Sequence, residues 1–124
     1  MAETLTVQME RLLDEYSERV QNVTNVAIQR VGRESVKMLR NSSPHKTGDY
    51  SRGWRLKTLR SRGPVVDVVV HNATDYQLTH LLENGHIVRN AKGVFGRAPA
   101  HPHIKPVETW ANSELPEEIE RELR

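Results

Sequence analysis

Apolar residues at Leu5, Met9, Leu12, Tyr16, Val20, Val23, Ala27 and Val31 recur at spacings of three and four, the repeat of one helix face. The stripe continues less cleanly through Ser35 to Met38 and Leu39 and ends at Asn41-Ser42-Ser43-Pro44, because a residue before proline is driven out of helical geometry. A straight helix from about Thr4 to Arg40 is about 55 Å long. A compact chain of 124 residues has a radius of gyration of about 14 Å, or roughly 35 Å across. The helix therefore outreaches the body it belongs to. Either it bends, with Gly32 the weak point, or its N-terminal half projects and packs on something else, as in an assembly protein.

The elements that follow are short. Tyr50 to Arg60 reads as a strand, with Tyr50, Trp54 and Leu56 on one face and Ser51, Arg55 and Lys57 on the other, although Arg52 and Leu59 interrupt the alternation. Val65 to Val70 is rich in β-branched residues and reads as a second strand. Arg60-Ser61-Arg62-Gly63-Pro64 between them is turn chemistry, so the pair forms a hairpin. Asp75 is suited to cap a short helix whose Tyr76, Leu78, Leu81 and Leu82 make an apolar stripe. Asn84-Gly85 stops that helix. Ile87-Val88 begins a third strand, and a polar stretch leads to Gly96-Arg97-Ala98-Pro99-Ala100-His101-Pro102-His103. Pro106 is placed as the first residue of a last helix, in which Val107, Ala111, Leu115, Ile119 and Leu123 fall four apart with Trp110 beside them. Pro116 inside that stripe is expected to kink or split it. The expected fold is α+β over residues 1–124 as one domain: long N-terminal and C-terminal helices on a small, mainly antiparallel sheet of about three strands, with a short helix inserted.

Charge is segregated. Residues 1–29 carry net −3, residues 30–62 net +8, residues 63–113 balance, and residues 114–124 carry net −3. Separated charge suits pairing with copies of the same chain or steering of a charged partner. The plainer alternative is a solvated surface whose ends neutralise its middle. The chain has no cysteine, which excludes disulfides, thiolate metal sites and cysteine nucleophiles. Apolar runs are too short to span a membrane. The first residues lack the basic and apolar segments of a secretion signal, which fits synthesis in the cytoplasm.

Catalytic patterns fail on spacing. His80-x-x-Glu83-x-x-His86 does not place two histidines four apart on one helix with the glutamate next to the first, and His86 lies beyond the Gly85 stop. Pro102 holds His101 and His103 apart. Ser43, His45 and Asp49 lack the strand–turn–helix setting of a nucleophile. No phosphate-cradling glycine loop is present. The expectation is no enzymatic activity, no metal and no cofactor, with the histidines satisfied at the surface or an interface. A stronger rival is a small DNA- or RNA-binding module using Arg52, Arg55, Lys57, Arg60 and Arg62 beside Tyr50 and Trp54. The alternation favours Trp54 in the core and the basic residues on a solvated outer face. A metal-dependent nuclease using the histidines is the more distant alternative.

Two segments carry a family resemblance. The first is Ser43-Pro44-His45-Lys46-Thr47-Gly48-Asp49-Tyr50-Ser51-Arg52-Gly53-Trp54. The second is Tyr76, then His80-Leu81-Leu82-Glu83-Asn84-Gly85-His86, then Gly96-Arg97-Ala98-Pro99-Ala100-His101-Pro102-His103-Ile104-Lys105-Pro106. Together they resemble the "gene product ten"-like tail-completion, or head–tail joining, family of long-tailed double-stranded DNA phages and prophages. Tyr50 departs from the leucine of many relatives, and Asn90 to Phe95 is not of a fixed family type. The resemblance implies a non-enzymatic virion protein of the neck and tail, made in the bacterial cytoplasm. It further implies that copies form a ring between head connector and tail tube and meet neighbouring neck and tail proteins. In that setting the stretch from Ile87 to His103 is expected to be the docking element, through Asn90, Lys92, Gly93, Val94, Phe95, Arg97, Pro99 and His101, because loops of such length are usually functional or disordered. Its first half is expected to be mobile and its proline-bearing second half stiff. Leu5, Met9 and Leu12 are expected to be exposed in the free chain and buried on assembly.

Overall fold

The computed structural model describes residues 4–44, 48–59 and 63–124. His45 to Thr47 and Arg60 to Arg62 lie outside the described residues, as do the side chains of Asn90, Val94 and Phe95. The chain runs α1 (Leu5–Ser42), α2 (Asp49–Arg52), β1 (Trp54–Leu59), β2 (Asp67–Asn72), α3 (Tyr76–Asn84), β3 (His86–Asn90), β4 (Gly93–Ala98) and α4 (Ile104–Leu123). The class is α+β, with four strands in two separate antiparallel pairs, β1–β2 and β3–β4, in place of one sheet of three.

Helix α1 runs unbroken for 38 residues, capped by the Thr4 side chain at the Val7 N–H. Gly32 does not break it. A β-carbon on Gly32 would lie 2.8 Å from the Leu56 side chain, so glycine there lets β1 pack close against the helix. The stripe expected from periodicity is present, but only its later part is covered. Ala27, Val31, Val36 and Leu39 are buried, whereas every residue from Thr4 to Arg19 is exposed.

The β1–β2 hairpin pairs Trp54 with Asn72, Leu56 with Val70 and Lys57 with Val69. Its inner residues Trp54, Leu56 and Val70 join Val36, Leu39, Tyr50 and Val107 in the core. The expected first strand is shorter than its alternation implies. Tyr50 to Arg52 form a helical turn, held by Ser51 Oγ donating to the Gly48 carbonyl at 3.0 Å and by an Arg52–Asp49 ion pair at 2.8 Å. Consecutive Tyr50 and Ser51 are both buried. A strand would have sent Ser51 to the opposite face, so that part of the reading is corrected. Val65 and Val66 precede β2. The Val66 N–H and the Pro64 carbonyl are both bonded to Asn25 of α1, at 2.8 and 3.0 Å.

Helix α3 ends as expected at Gly85, whose φ of 75° favours glycine. A β-carbon there would lie 2.8 Å from the Ala98 carbonyl oxygen. Its start differs: Asp75 stands at the cap but its side chain caps nothing. Asn72 Oδ1 instead holds the approach to the helix, accepting from the N–H groups of Thr74 and Asp75 at 3.2 and 2.9 Å. The apolar stripe of α3 is only partly covered. Leu82 packs on the core, while Tyr76, Leu78 and Leu81 are exposed. Helix α4 starts at Ile104, which puts Pro106 third, and it passes through Pro116 without splitting. Its stripe packs along α1 and buries Val107.

Candidate assembly surfaces

The histidine and glutamate motifs converge on one buried brace. Glu83, at the end of α3, accepts from the N–H groups of His103, Ile104 and Lys105 at 2.9–3.1 Å. Those are the groups a helix start leaves unpaired, so a carboxylate from another element caps α4. Burial pushes the Glu83 carboxyl up, but these three backbone bonds and the adjacent His103 ring outweigh it and hold it below the usual range. The His103 side chain is 1% exposed, with Nδ1 2.7 Å from the His101 carbonyl and 3.1 Å from Glu83 Oε2. With two acceptors on that side, Nδ1 carries the proton. Nε2 lies 2.7 Å from the Tyr50 hydroxyl, at hydrogen-bond distance. Burial is the main cause that pushes the Tyr50 phenol up, so the hydroxyl keeps its proton. Trp54 meets both rings edge-on and donates Nε1–H to Ser43 Oγ at 2.8 Å. His103 is therefore a core residue, where a surface or interface position was expected.

This chemistry is structural. Glu83 is committed to the helix start, and His80 faces Asn84 at 3.1 Å. Among the described residues no group of three His, Asp or Glu side chains is placed to hold a metal ion. Ser43 Oγ donates to the Leu39 carbonyl and accepts from Trp54; His45, of the rejected Ser43–His45–Asp49 set, lies outside the described residues.

The surfaces left uncovered are elsewhere. Helix α4 ends beside Arg19, whose Nη2 donates to the Glu122 carbonyl at 3.2 Å. Beyond that point the α1 stripe continues bare: Leu5 is 71% exposed, Met9 53%, Leu12 63% and Tyr16 57%. The acidic C-terminal run does not wait for a partner in the same way. Glu118 is buried against Arg30 at 2.8 Å, and Glu114 pairs with Arg121 at 3.1 Å. Part of the charge segregation is thus resolved inside the α1–α4 seam.

The expected docking loop is largely a hairpin. Its strands β3 and β4 pair from His86–Ala98 to Asn90–Gly93, with an irregularity after Val88 that leaves Phe95 as the extra residue. Gly93 and Gly96, read as flexible, take the positive φ values of the turn and of that bulge. The ribbon packs mainly on itself. Adjacent Ile87 and Val88 point to opposite faces and are both exposed. Lys92, Arg97, Pro99 and His101 are exposed along it. The backbones of Asn90, Val94 and Phe95 lie in the strands, and Ala91–Lys92 form the tip.

Of the basic set, Arg52 pairs with Asp49, and Arg55 donates to the Arg52 and Trp54 carbonyls. Arg55 and Lys57 are exposed on the outer face of β1, while Arg60 and Arg62 lie outside the described residues. Trp54 is 3% exposed and presents no ring to a base. The outer face of the β1–β2 hairpin is solvated as the alternation implies, and it also leaves Leu59 and Val69 each 39% exposed. One feature escaped the sequence reading, an apolar groove of about 500 Å³ lined by Leu39, Trp54, Val70, Tyr76, Ile104 and Val107. It is assembled from distant segments and leaves no local signal.

A family model described as "Bacteriophage HK97-gp10, putative tail-component" matches residues 4–85. No curated protein and no solved structure matches the chain.

Proposed function

Because the chain belongs to the HK97-gp10-like family of bacteriophage tail components, we propose that it is a structural subunit of the phage neck. In this reading copies form a ring that joins the head connector to the tail through protein–protein contacts. The whole chain acts as one unit, made in the host cytoplasm and retained in the virion. Membership of a tail-component family supports a structural and non-enzymatic role. The observation that carries the reading is the α1 stripe, which runs past the end of α4 and leaves leucines in water. Contiguous exposed apolar surface of this kind marks an interaction site.

The β3–β4 ribbon is assigned to the neighbouring neck or tail protein. Isolated two-stranded ribbons are marginal in water, and one exposed on both faces gains order from a partner. Nucleic-acid binding is the weaker reading, because the aromatic a base would stack on is buried. Complementation tests the assignment. A phage lacking this gene is supplied with the chain from which Ala91 to Phe95 have been removed. The shortened protein is expected to fold, since the ribbon packs mainly on itself, and to leave heads and tails unjoined. Infectious particles at the normal yield would reduce the ribbon to a connection.

A further inference from the structure

The β1–β2 hairpin packs one face on α1 and leaves the other bare. Cross-strand pairing puts Arg55 opposite His71, Lys57 opposite Val69 and Leu59 opposite Asp67 on that bare face. It is an apolar patch, Leu59 and Val69, with the cations Arg55 and Lys57 at one end and the carboxylate of Asp67 at the other. The bare end of α1 is its counterpart. Glu15 lies three residues after Leu12 and Glu10 three before Leu13, so a carboxylate flanks each side of the apolar stripe. Residues 4–19 hold four acids against two arginines.

The two surfaces suit each other better than copies of themselves. Pairing two α1 ends brings acidic flanks together, and pairing two hairpin faces in register brings Arg55 and Lys57 together; like charges across a contact oppose association. Nor can α1 reach the bare face of its own hairpin. Asn25 clasps the start of β2 at Pro64 and Val66, and the helix runs on from there without a break. We propose that the Leu5–Tyr16 segment of one copy seats on the outer β1–β2 face of the next, with Leu5, Met9, Leu12 and Tyr16 over Leu59 and Val69 and with Glu10 and Glu15 toward Arg55 and Lys57. Each copy then gives a helix to one neighbour and receives one from the other, the head-to-tail arrangement that closes into a ring when the rotation allows. A helix laid on the bare face also completes a layered packing of helix on both sides of the strand pair.

The pairing deepens the ring reading, and the two fail separately. An idle β3–β4 ribbon leaves this contact intact, and an absent contact leaves the role of the ribbon in joining untouched. The chain has no cysteine, so introduced thiols report alone. M9C and V69C chains are mixed as concentrated protein and treated with a short bis-maleimide linker. The expected product is the mixed M9C–V69C dimer, in excess over M9C–M9C and V69C–V69C. Adding R55E/K57E to the V69C chain is expected to lower its yield by about tenfold or more, and adding E10K/E15K to the M9C partner is expected to restore it. These side chains are exposed, and melting curves confirm that the variants remain folded. Homotypic products in excess, equal yields in all mixtures, or failure of the double reversal to restore the product would each overturn the proposal. So would a loss of duplex-DNA retention by R55E/K57E with the cross-link unchanged, which would assign the cationic face to nucleic acid.

Discussion

Glu83 joins two helices that lie about twenty residues apart in the chain. It ties the end of α3 to the start of α4 through three backbone N–H groups, and hydrogen bonds to a charged group are each worth more than neutral ones. Glu83→Gln is expected to lower stability by about 2 kcal/mol, read as a fall in the urea midpoint without a change in slope. The folded carboxyl lies below its ordinary value, so its contribution is complete above the usual glutamate range and is lost as pH falls through the folded value. The wild-type and E83Q stabilities should converge in acid; a constant gap would show that the charge of Glu83 is not what matters. Tyr50→Phe leaves the buried His103 Nε2 without its hydrogen-bond partner and is expected to cost about 1–3 kcal/mol. Combined with E83Q it should cost less than the sum, since both act on His103. Glu83 stands out in the sequence within His80-x-x-Glu83-x-x-His86, and His103 within His101-Pro102-His103, but nothing there joins the two patterns. Metal-ligand spacing is a local property that could be tested and rejected, whereas capping depends on an α3–α4 encounter across the β3–β4 hairpin.

The long helix shows the opposite balance. Its span and its uncovered start follow from periodicity and length, because both are set by residues near in sequence. Replacing Leu5, Met9 and Leu12 together by alanine is expected to leave the melting temperature of the free chain nearly unchanged, since exposed positions contribute little, and to abolish assembly. A large fall in melting temperature would mean that these residues pack within the chain. Helix α4 shows where a local rule is overridden. Pro116 removes a hydrogen bond and crowds the preceding turn, yet α4 is continuous because packing along α1 holds both halves. The missing hydrogen bond remains, so Pro116→Ala is expected to raise stability by about 1–3 kcal/mol, measured by thermal melting. The β3–β4 ribbon was hidden because its tip, Ala91-Lys92, lacks the Asn-Gly or Asp-Gly signature of a two-residue turn, and its glycines imitate a flexible loop. For α3 the stripe was visible, but not that the helix is held through Leu82 and Glu83 at one end while Tyr76 stays in water.

Taken whole, the molecule has a stability gradient with a defined direction. One end holds the core of Val36, Leu39, Tyr50, Trp54 and Val107, tied by the Glu83–His103 brace. Toward the other end α4 and the hairpin both run out, at Arg19 and Asn25, and α1 continues alone for about four turns. A helical segment of that length without tertiary contact is marginal in water, so its amides open by fraying while those of the core open only with the whole fold. Hydrogen exchange on a dilute sample, verified as monomer, is expected to show fast exchange from Leu5 to Tyr16 and across the β3–β4 ribbon. The slowest amides should fall near Leu39 and Trp54. On assembly the α1 end should gain protection, because burying a leucine-sized side chain contributes about 1.5–3 kcal/mol and several are brought out of water together. Slow exchange from Leu5 to Tyr16 in the verified monomer would show that the helix already has a cover within its own chain, and the case for that end as an assembly surface would be lost.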